Sequence, residues 1–206
     1  MPKLQLERCD RISPPFWSEV WIIGGGPSAG SFDLERLKGQ RVLAVNDAIF
    51  KFCSSSGQLS PSGIAVASIS VFSLDSDWVR RHCDFLNRWE GEKYLAPLPD
   101  GGPELESIPG ACYLQQGYAD GLSEDPTIVN AGCHSGYGAL GVAYLKRAWN
   151  IHLVGYDLDP TQEKPYQQFE FWARNYDTTR DQLRKRRVAV WNHNKQSSIT
   201  AFPKVN

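Results

Sequence analysis

Val20-Trp21-Ile22-Ile23-Gly24-Gly25-Gly26-Pro27-Ser28 is the stretch of sequence that decides the fold. Its first four residues form a short, continuous apolar run, which is typical of a strand buried on both faces of a parallel sheet. Three glycines and a proline end this run, and the apolar residues after them predict a short helix that ends at Gly39. Because Arg41 to Val45 is a second apolar run, the whole segment predicts a β-loop-α-β unit.

Strands and helices continue to alternate along the rest of the chain. Apolar runs predict strands over residues 64–74, 127–129, 151–154 and 188–191. Helical patterns lead up to Trp89 and cover residues 137–148 and 165–187. This alternation predicts a single α/β, Rossmann-like domain whose mostly parallel sheet has helices on both faces. We place an N-terminal arm at residues 1–18, the domain at residues 19–206, and a loop-rich excursion around residues 96–126.

Composition and charge exclude several classes of protein. The 206 residues include 22 Lys and Arg and 23 Asp and Glu, and this balance gives no electrostatic footprint for nucleic acid or for a membrane. The one basic run, Arg184-Lys185-Arg186-Arg187, fits a solvated helix end better than a contact with phosphates. Five scattered cysteines without a C-x-x-C pair imply neither a disulfide framework nor a zinc site. With no signal peptide and no spanning apolar run, we expect a cytoplasmic protein.

The glycine loop Gly24-Gly25-Gly26-Pro27-Ser28 is the first candidate for ligand binding. In a parallel sheet, ligands bind outside the carboxyl ends of the strands, where helix N-termini present free N–H groups. The three glycines would let a phosphate approach the backbone, and Ser28 would add a hydroxyl donor. The loop matches neither the G-x-G-x-x-G fingerprint nor the P-loop, so a merely structural tight turn is the alternative interpretation.

A second loop, Asn130 to Gly136, also joins an apolar strand to a helix. Ser135 and Gly136 open that helix and offer a second array of donors for an anionic group. Asn46 and Asp47 follow the second strand, where ribose or base edges are commonly bound, although both are also common turn residues. Together the two loops predict a site for a nucleotide or a nucleotide-sugar.

Carboxylates at strand ends are candidate metal ligands. Asp75 and Asp77 form a D-x-D pair of the kind that can hold Mg²⁺ or Mn²⁺ against a diphosphate, although Asp77 could instead be the N-cap of the following helix. Asp157 and Asp159 form an alternative pair after a later strand. We also consider Asp157 as a catalytic group.

Two histidines are candidates for proton transfer. His134 lies within the second loop, where it could donate to a phosphate or accept a proton near neutral pH. His193 follows the last predicted strand at the same edge. His82 lies in a helix and His152 within a strand, so structural roles are expected for both.

These motifs also carry a family resemblance, over Val20 to Ala48 and Thr127 to Pro203. The chain resembles bacteriophage proteins of Rossmann-like fold that are labelled morphogenetic or uncharacterised. More distantly, it is similar to the bacterial sialyltransferases that use CMP-sialic acid, and to a group that contains flagellin glycosyltransferases and an archaeal hydroxymethylpterin diphosphokinase.

The resemblance to the sialyltransferases implies a nucleotide site. The residues that it places there are Gly24, Gly26, Pro27, Ser28, Asn46, Ser135 and Gly136. Tyr156 would correspond to tyrosines that support the leaving phosphate. The catalytic lid histidine of that family has no counterpart, because no histidine lies between Asp157 and Asn192.

Three functions are consistent with these residues. The first is a nucleotide-dependent transferase, most concretely glycosyltransferase-like, that passes an activated sugar to an acceptor the sequence does not identify. The second is phosphoryl or pyrophosphoryl transfer from ATP, and the third is a non-catalytic phage protein that sequesters a nucleotide or a nucleotide signal. The fold alone does not choose among them.

Overall fold

A seven-stranded parallel sheet forms the centre of the protein. The computed structural model describes residues 11–53, 66–98, 108–159 and 166–205, without the side chains of Tyr166 and Gln167. The strands of the sheet are β1 (Glu19–Ile23), β2 (Arg41–Val45), β3 (Ser68–Ser73), β4 (Glu92–Leu95), β5 (Ala111–Tyr113), β8 (Asn150–Val154) and β9 (Ala189–Asn192). Their order is β5-β4-β3-β2-β1-β8-β9, and all neighbours pair in parallel. Two further strands, β6 (Gln115–Gly117) and β7 (Ile128–Asn130), form a separate parallel pair.

Helices cover both faces of this sheet. They are α1 (Ser28–Ser31), α2 (Ser76–Arg81), α3 (Cys83–Arg88), α4 (Ser135–Leu145), α5 (Tyr166–Asn175) and α6 (Arg180–Lys185). One buried cluster joins β-strand residues such as Ile22 and Leu153 to α4, α5 and α6. The other joins Ile23 and Val71 to α1, α2 and α3. The predicted α/β, Rossmann-like fold with helices on both faces is therefore confirmed.

Several element predictions need correction. Residues 92–95, for which the apolar pattern predicts no element, form β4, and the strand predicted at residues 127–129 pairs with β6 outside the main sheet. The helix predicted over residues 165–187 is divided into α5, a 3₁₀ turn (Tyr176–Thr179) and α6. The helix expected before Trp89 is likewise divided into α2 and α3.

The described part of the predicted arm, residues 11–18, packs on the domain. Ile12 and Trp17 are buried in the core, and the Trp17 N–H donates to the Lys146 carbonyl at 2.8 Å. Among the described residues, no disulfide is formed by Cys53, Cys83, Cys112 or Cys133, while Cys9 lies outside the described residues. Among the described segments, no helix has the length and apolarity that crossing a bilayer requires.

Candidate functional site

A cavity of about 920 Å³ lies at the carboxyl edge of the sheet. Strands β1 and β8 are neighbours there, but the chain leaves β1 toward β2 and leaves β8 toward β9 in the opposite direction. This reversal is the switch point of an open α/β sheet, where the loops separate and leave a crevice. The cavity is lined by Gly24, Gly25, Gly26, Pro27, Val45, Asn46, Asp75, His134, Ser135, Gly136, Gly155, Tyr156, Asp157, Leu158, Gln168, Phe169 and Trp172.

The carboxylate of Asp157 bonds to the glycine loop. Its Oδ2 accepts a hydrogen bond from the Ser28 hydroxyl at 2.8 Å, and its Oδ1 accepts from the Ser28 N–H at 3.2 Å. Asn194 Nδ2 donates to the same Oδ1 at 2.7 Å. The carboxylate thus takes the donors at the start of α1 that we had assigned to a phosphate, and Ser28 does not line the main cavity.

The glycines of the loop are explained by contacts within the protein. A Cβ on Gly26 would lie 2.0 Å from Asp157 Oδ2 and 2.5 Å from the Gly155 carbonyl oxygen. A Cβ on Gly24 would lie 2.8 Å from that same carbonyl oxygen. Only Gly25 has open space around it, with nothing within 4 Å. Gly24 and Gly26 therefore allow the loop to pack closely against the rest of the protein. Gly25 is the glycine that a ligand could contact without displacing protein atoms.

Ser135 joins the start of α4 to two strand ends. Its hydroxyl oxygen accepts from Asn46 Nδ2 at 3.4 Å and from the Leu74 N–H at 3.3 Å. Asn46 has a positive φ of 51°, which turns its side chain toward this bond at the end of β2. Its Oδ1 is buried and has no hydrogen-bond partner among the described residues. Asn46 and Ser135, which the sequence predicted for one site, are thus brought together.

His134 lies at the N-cap of α4 and lines the cavity. Its ring stacks on Trp172 at a centroid distance of 5.1 Å and contacts Tyr176 at 5.5 Å. Burial in these aromatic surroundings lowers the pKa of His134 to about 3, so the imidazole is neutral at pH 7. Nε2 is buried without a partner in the described part of the chain, which leaves it able to bond with a ligand.

Tyr156 packs beneath the start of α4. Its hydroxyl donates to the Gly136 carbonyl at 2.9 Å, and burial raises the pKa of this phenol. Its ring lies where a Cβ on Gly136 would approach to 3.1 Å, so Gly136 allows close contact between helix and tyrosine. Tyr156 thus lines the cavity with its ring, while its hydroxyl is hydrogen-bonded within the protein.

Helix α5 supplies an aromatic wall that the sequence did not predict. Trp172 and Phe169 line the cavity and lie edge to face at 5.5 Å, next to Gln168. In the sequence, these residues look like part of an ordinary amphipathic helix, since nothing in the spacing shows that α5 reaches across the strand ends. Aromatic faces at this position suit a base or a sugar ring.

No family model, curated protein or solved structure matches the chain. The resemblance to phage proteins and to sialyltransferases therefore stays a prediction.

The predicted metal pair is not brought together at the cavity. Asp75 lines the cavity, but its Oδ1 caps α2 by accepting from the N–H groups of Asp77 and Trp78 at 2.9 and 3.0 Å. The Asp77 carboxylate forms an ion pair with Arg80 instead. Across the described residues, no group of three or more His, Cys, Asp or Glu is arranged to hold a metal. The structure therefore places the N-cap at Asp75 and not at Asp77, and metal binding by this pair stays a prediction.

Asp47 and Asp159 also lie outside the main cavity. Asp47 Oδ1 accepts from the indole N–H of Trp78 at 2.7 Å and lies 3.4 Å from His82 Nε2. Asp159 lines a smaller neighbouring cavity of about 320 Å³ together with Asp157. Asp47 is thus bonded within the protein, and its contact with a ligand stays a prediction.

His193 is placed away from the cavity. Its Nε2 lies 2.9 Å from His152 Nδ1, and both rings pack on Trp21, at 4.8 and 4.1 Å. His193 is not among the residues that line the cavity, and a catalytic role for it stays a prediction. Of the predicted catalytic residues, only His134 and Asp157 line the cavity.

The charge of the cavity is the remaining feature of the site. Its lining includes the carboxylates of Asp75 and Asp157, and none of the described lining residues is Lys or Arg. Among the described lining, the groups that can attract an anion are backbone N–H groups, above all those at the start of the eleven-residue helix α4.

Proposed function

We propose that the protein binds a nucleotide, most concretely a nucleotide-activated sugar, in the switch-point cavity and acts as a glycosyltransferase-like enzyme. The observation that carries the proposal is the cavity between the loops after β1 and β8. Its volume of about 920 Å³ falls within the range of small-molecule sites. Ligands of open α/β sheets bind at this position.

In this proposal the phosphates lie at the start of α4 and not at Ser28. Asp157 already occupies the donors of Ser28, and a second anion beside that carboxylate would be repelled. Ser135 and Gly136 begin a helix long enough to have a useful macrodipole, and both line the cavity. The base or the sugar ring then packs on Trp172 and Phe169.

Catalysis would combine electrostatic stabilisation with a proton acceptor. N–H groups at the start of α4 would stabilise the departing phosphate, with Mg²⁺ or Mn²⁺ bound to the phosphates themselves as a source of positive charge. His134 is the proton acceptor that we favour, because its Nε2 is unpartnered within the described residues. The negative charge of a bound phosphate would raise the pKa of His134 from about 3 toward a useful range.

A second candidate, non-catalytic sequestration of a nucleotide, is favoured by the carboxylates. Asp157 and Asp75 are both held as acceptors by protein N–H groups, so neither is poised to take a proton from an acceptor substrate. If His134 does not act as a base, the cavity would bind a nucleotide and leave it intact.

Binding is tested by thermal shift with CMP, UDP, GDP, ADP and their sugar esters. We expect at least one to raise the melting temperature, and no shift with any of them would overturn the proposal. Gly25→Val adds a side chain to the cavity without a clash, so it should abolish the shift while the protein stays folded. Gly30→Val is the matched control, because its Cβ also meets nothing within 4 Å and Gly30 does not line the cavity.

Mass spectrometry of the bound ligand then separates the two candidates. A transferase releases nucleoside phosphate when an acceptor or water is present, and His134→Gln should slow that release without abolishing binding. A ligand recovered intact after prolonged incubation with a broad set of acceptors would favour sequestration.

A further inference from the structure

The amino edge of the sheet, opposite the cavity, carries an exposed basic and aromatic surface. Trp149 precedes β8 and is 65% exposed, and Phe16 is 44% exposed. The cations around them are Arg147, Arg184, Lys185 and Arg187, all exposed. We call these six residues the amino-edge patch.

The members of the patch are contiguous through the backbone. The Ala189 N–H donates to the Trp149 carbonyl at 2.7 Å, which places Arg187 and Val188 beside Trp149. The Trp149 N–H donates to the Ser18 carbonyl at 3.1 Å, which brings the segment containing Phe16 to the same edge. The Arg147 guanidinium lies 4.5 Å from the centre of the Phe16 ring.

Most of the cations in the patch have no ion-pair partner among the residues that the structure describes. Arg186, the remaining member of the basic run, pairs with Glu124. Arg184, Lys185 and Arg187 form no ion pair with any described residue. The whole chain has a net charge of −1, so its composition does not show this local excess of positive charge. The excess is evident only when the structure places Arg187 beside Trp149.

A groove continues from the patch along β9. It has a volume of about 350 Å³, and Arg184 and Arg187 stand at its side. Val190 and Phe202 contribute apolar lining to the same groove. A chain with regularly spaced negative charges and flat apolar groups complements such a surface.

We propose that the amino-edge patch binds single-stranded nucleic acid. Exposed aromatic rings beside unpaired arginines are the elements by which proteins hold single strands, with bases stacked on the rings and phosphates beside the cations. A run of Asp and Glu side chains would supply the charge but no ring to stack on Trp149, and duplex DNA keeps its bases stacked on one another. The proposal is independent of the nucleotide cavity, since it shares no residue with it.

Fluorescence anisotropy with a labelled oligothymidine is the test. We expect binding at about 50 mM salt that weakens steeply as salt is raised. Trp149→Ala should weaken it about fivefold or more, because loss of one stacked base is expected to have at least that effect. Arg184→Ala should also weaken it and should reduce the salt dependence.

Two control variants and two control ligands make the test decisive. Tyr118→Ala removes another ring that is 76% exposed, and Arg174→Ala removes another exposed arginine, so both should bind like the parent protein. Absence of binding at low salt would overturn the proposal. So would equal affinity for polyglutamate or for duplex DNA, or an affinity that Trp149→Ala leaves unchanged, since each would show that stacking is not involved.

Discussion

Gly25 and Gly26 are adjacent in the sequence, but the structure gives them different roles. Gly26 faces the carboxylate of Asp157, whereas Gly25 faces open space at the cavity. The sequence could predict that this loop matters, because three glycines after an apolar strand are unusual. The sequence could not assign the roles, because Gly26 is required by the carboxylate of Asp157. That residue lies 129 positions after Ser28 in the chain.

Substitution of these two glycines should separate their roles. Gly26→Ala forces its Cβ to within 2.0 Å of Asp157 Oδ2, so we expect a loss of about 1 to 3 kcal/mol in the free energy of unfolding. Gly25→Ala should change it by no more than about 0.5 kcal/mol. Urea unfolding of both variants measures the difference, and equal stability would contradict the close approach of Asp157 to the loop.

Protonation of His134 should make stability depend on pH. Its pKa is about 3 in the folded protein and 6.5 when unperturbed, so below pH 6.5 the unfolded chain binds a proton that the folded chain does not. Stability should therefore fall as the pH is lowered from 6.5 toward 3. At pH 5 the loss from this group is about 2 kcal/mol at most.

The contribution of His134 is isolated by comparing the parent protein with His134→Gln. Burial also lowers the pKa of His152, but this histidine is present in both proteins, so its effect on the pH dependence of stability cancels in the comparison. Unfolding free energies at pH 7 and pH 5 should differ more in the parent than in the variant. Identical pH dependence would show that His134 titrates normally.

At the scale of elements, the helices and strands differ from the sequence predictions where side chains bond to the backbone. The 3₁₀ turn Tyr176–Thr179 interrupts the long predicted helix because the hydroxyls of Thr178 and Thr179 donate to carbonyls three residues earlier, at 2.6 and 2.8 Å. Strand β4 was missed because it contains Glu92 and Lys93, whose Nζ reaches the Pro109 carbonyl at 2.9 Å. The spacing of hydrophobic residues carries no information about such hydrogen bonds.

Asp75 should stabilise α2 as its N-cap. Asp75→Ala removes the acceptor of two N–H groups and should reduce the free energy of unfolding by about 1 kcal/mol, whereas Asp75→Asn should retain nearly all of it. Chemical denaturation of the two variants measures this. If Asp75 also helps to hold a cation on a bound nucleotide, Asp75→Asn should weaken the Mg²⁺-dependent part of nucleotide binding and leave stability unchanged.

For the whole molecule, the alternation of apolar runs was enough to predict the architecture, because a parallel sheet buried on both faces leaves a strong signal in each strand. The site was predicted only in part. Asn46, Ser135 and the three glycines of the loop line the cavity together. The glycines and Asn46 follow β1 and β2 at the carboxyl edge of the sheet, and Ser135 bonds to Asn46 there. The aromatic wall of α5 and the pairing of Asp157 with Ser28 depend on how distant segments pack, which local pattern does not encode.

The junction of β1 with β8 has a consequence for folding order. Glu19 pairs with Asn150 in the sheet, so the two halves of the crevice come from segments that leave the ribosome far apart in time. Strands β1 to β5 can associate with their sequential neighbours early, while β8 must close a long loop before it adds to the sheet. The crevice between the loops after β1 and β8 is therefore completed only when β8 docks beside β1, after the glycine loop has been synthesised.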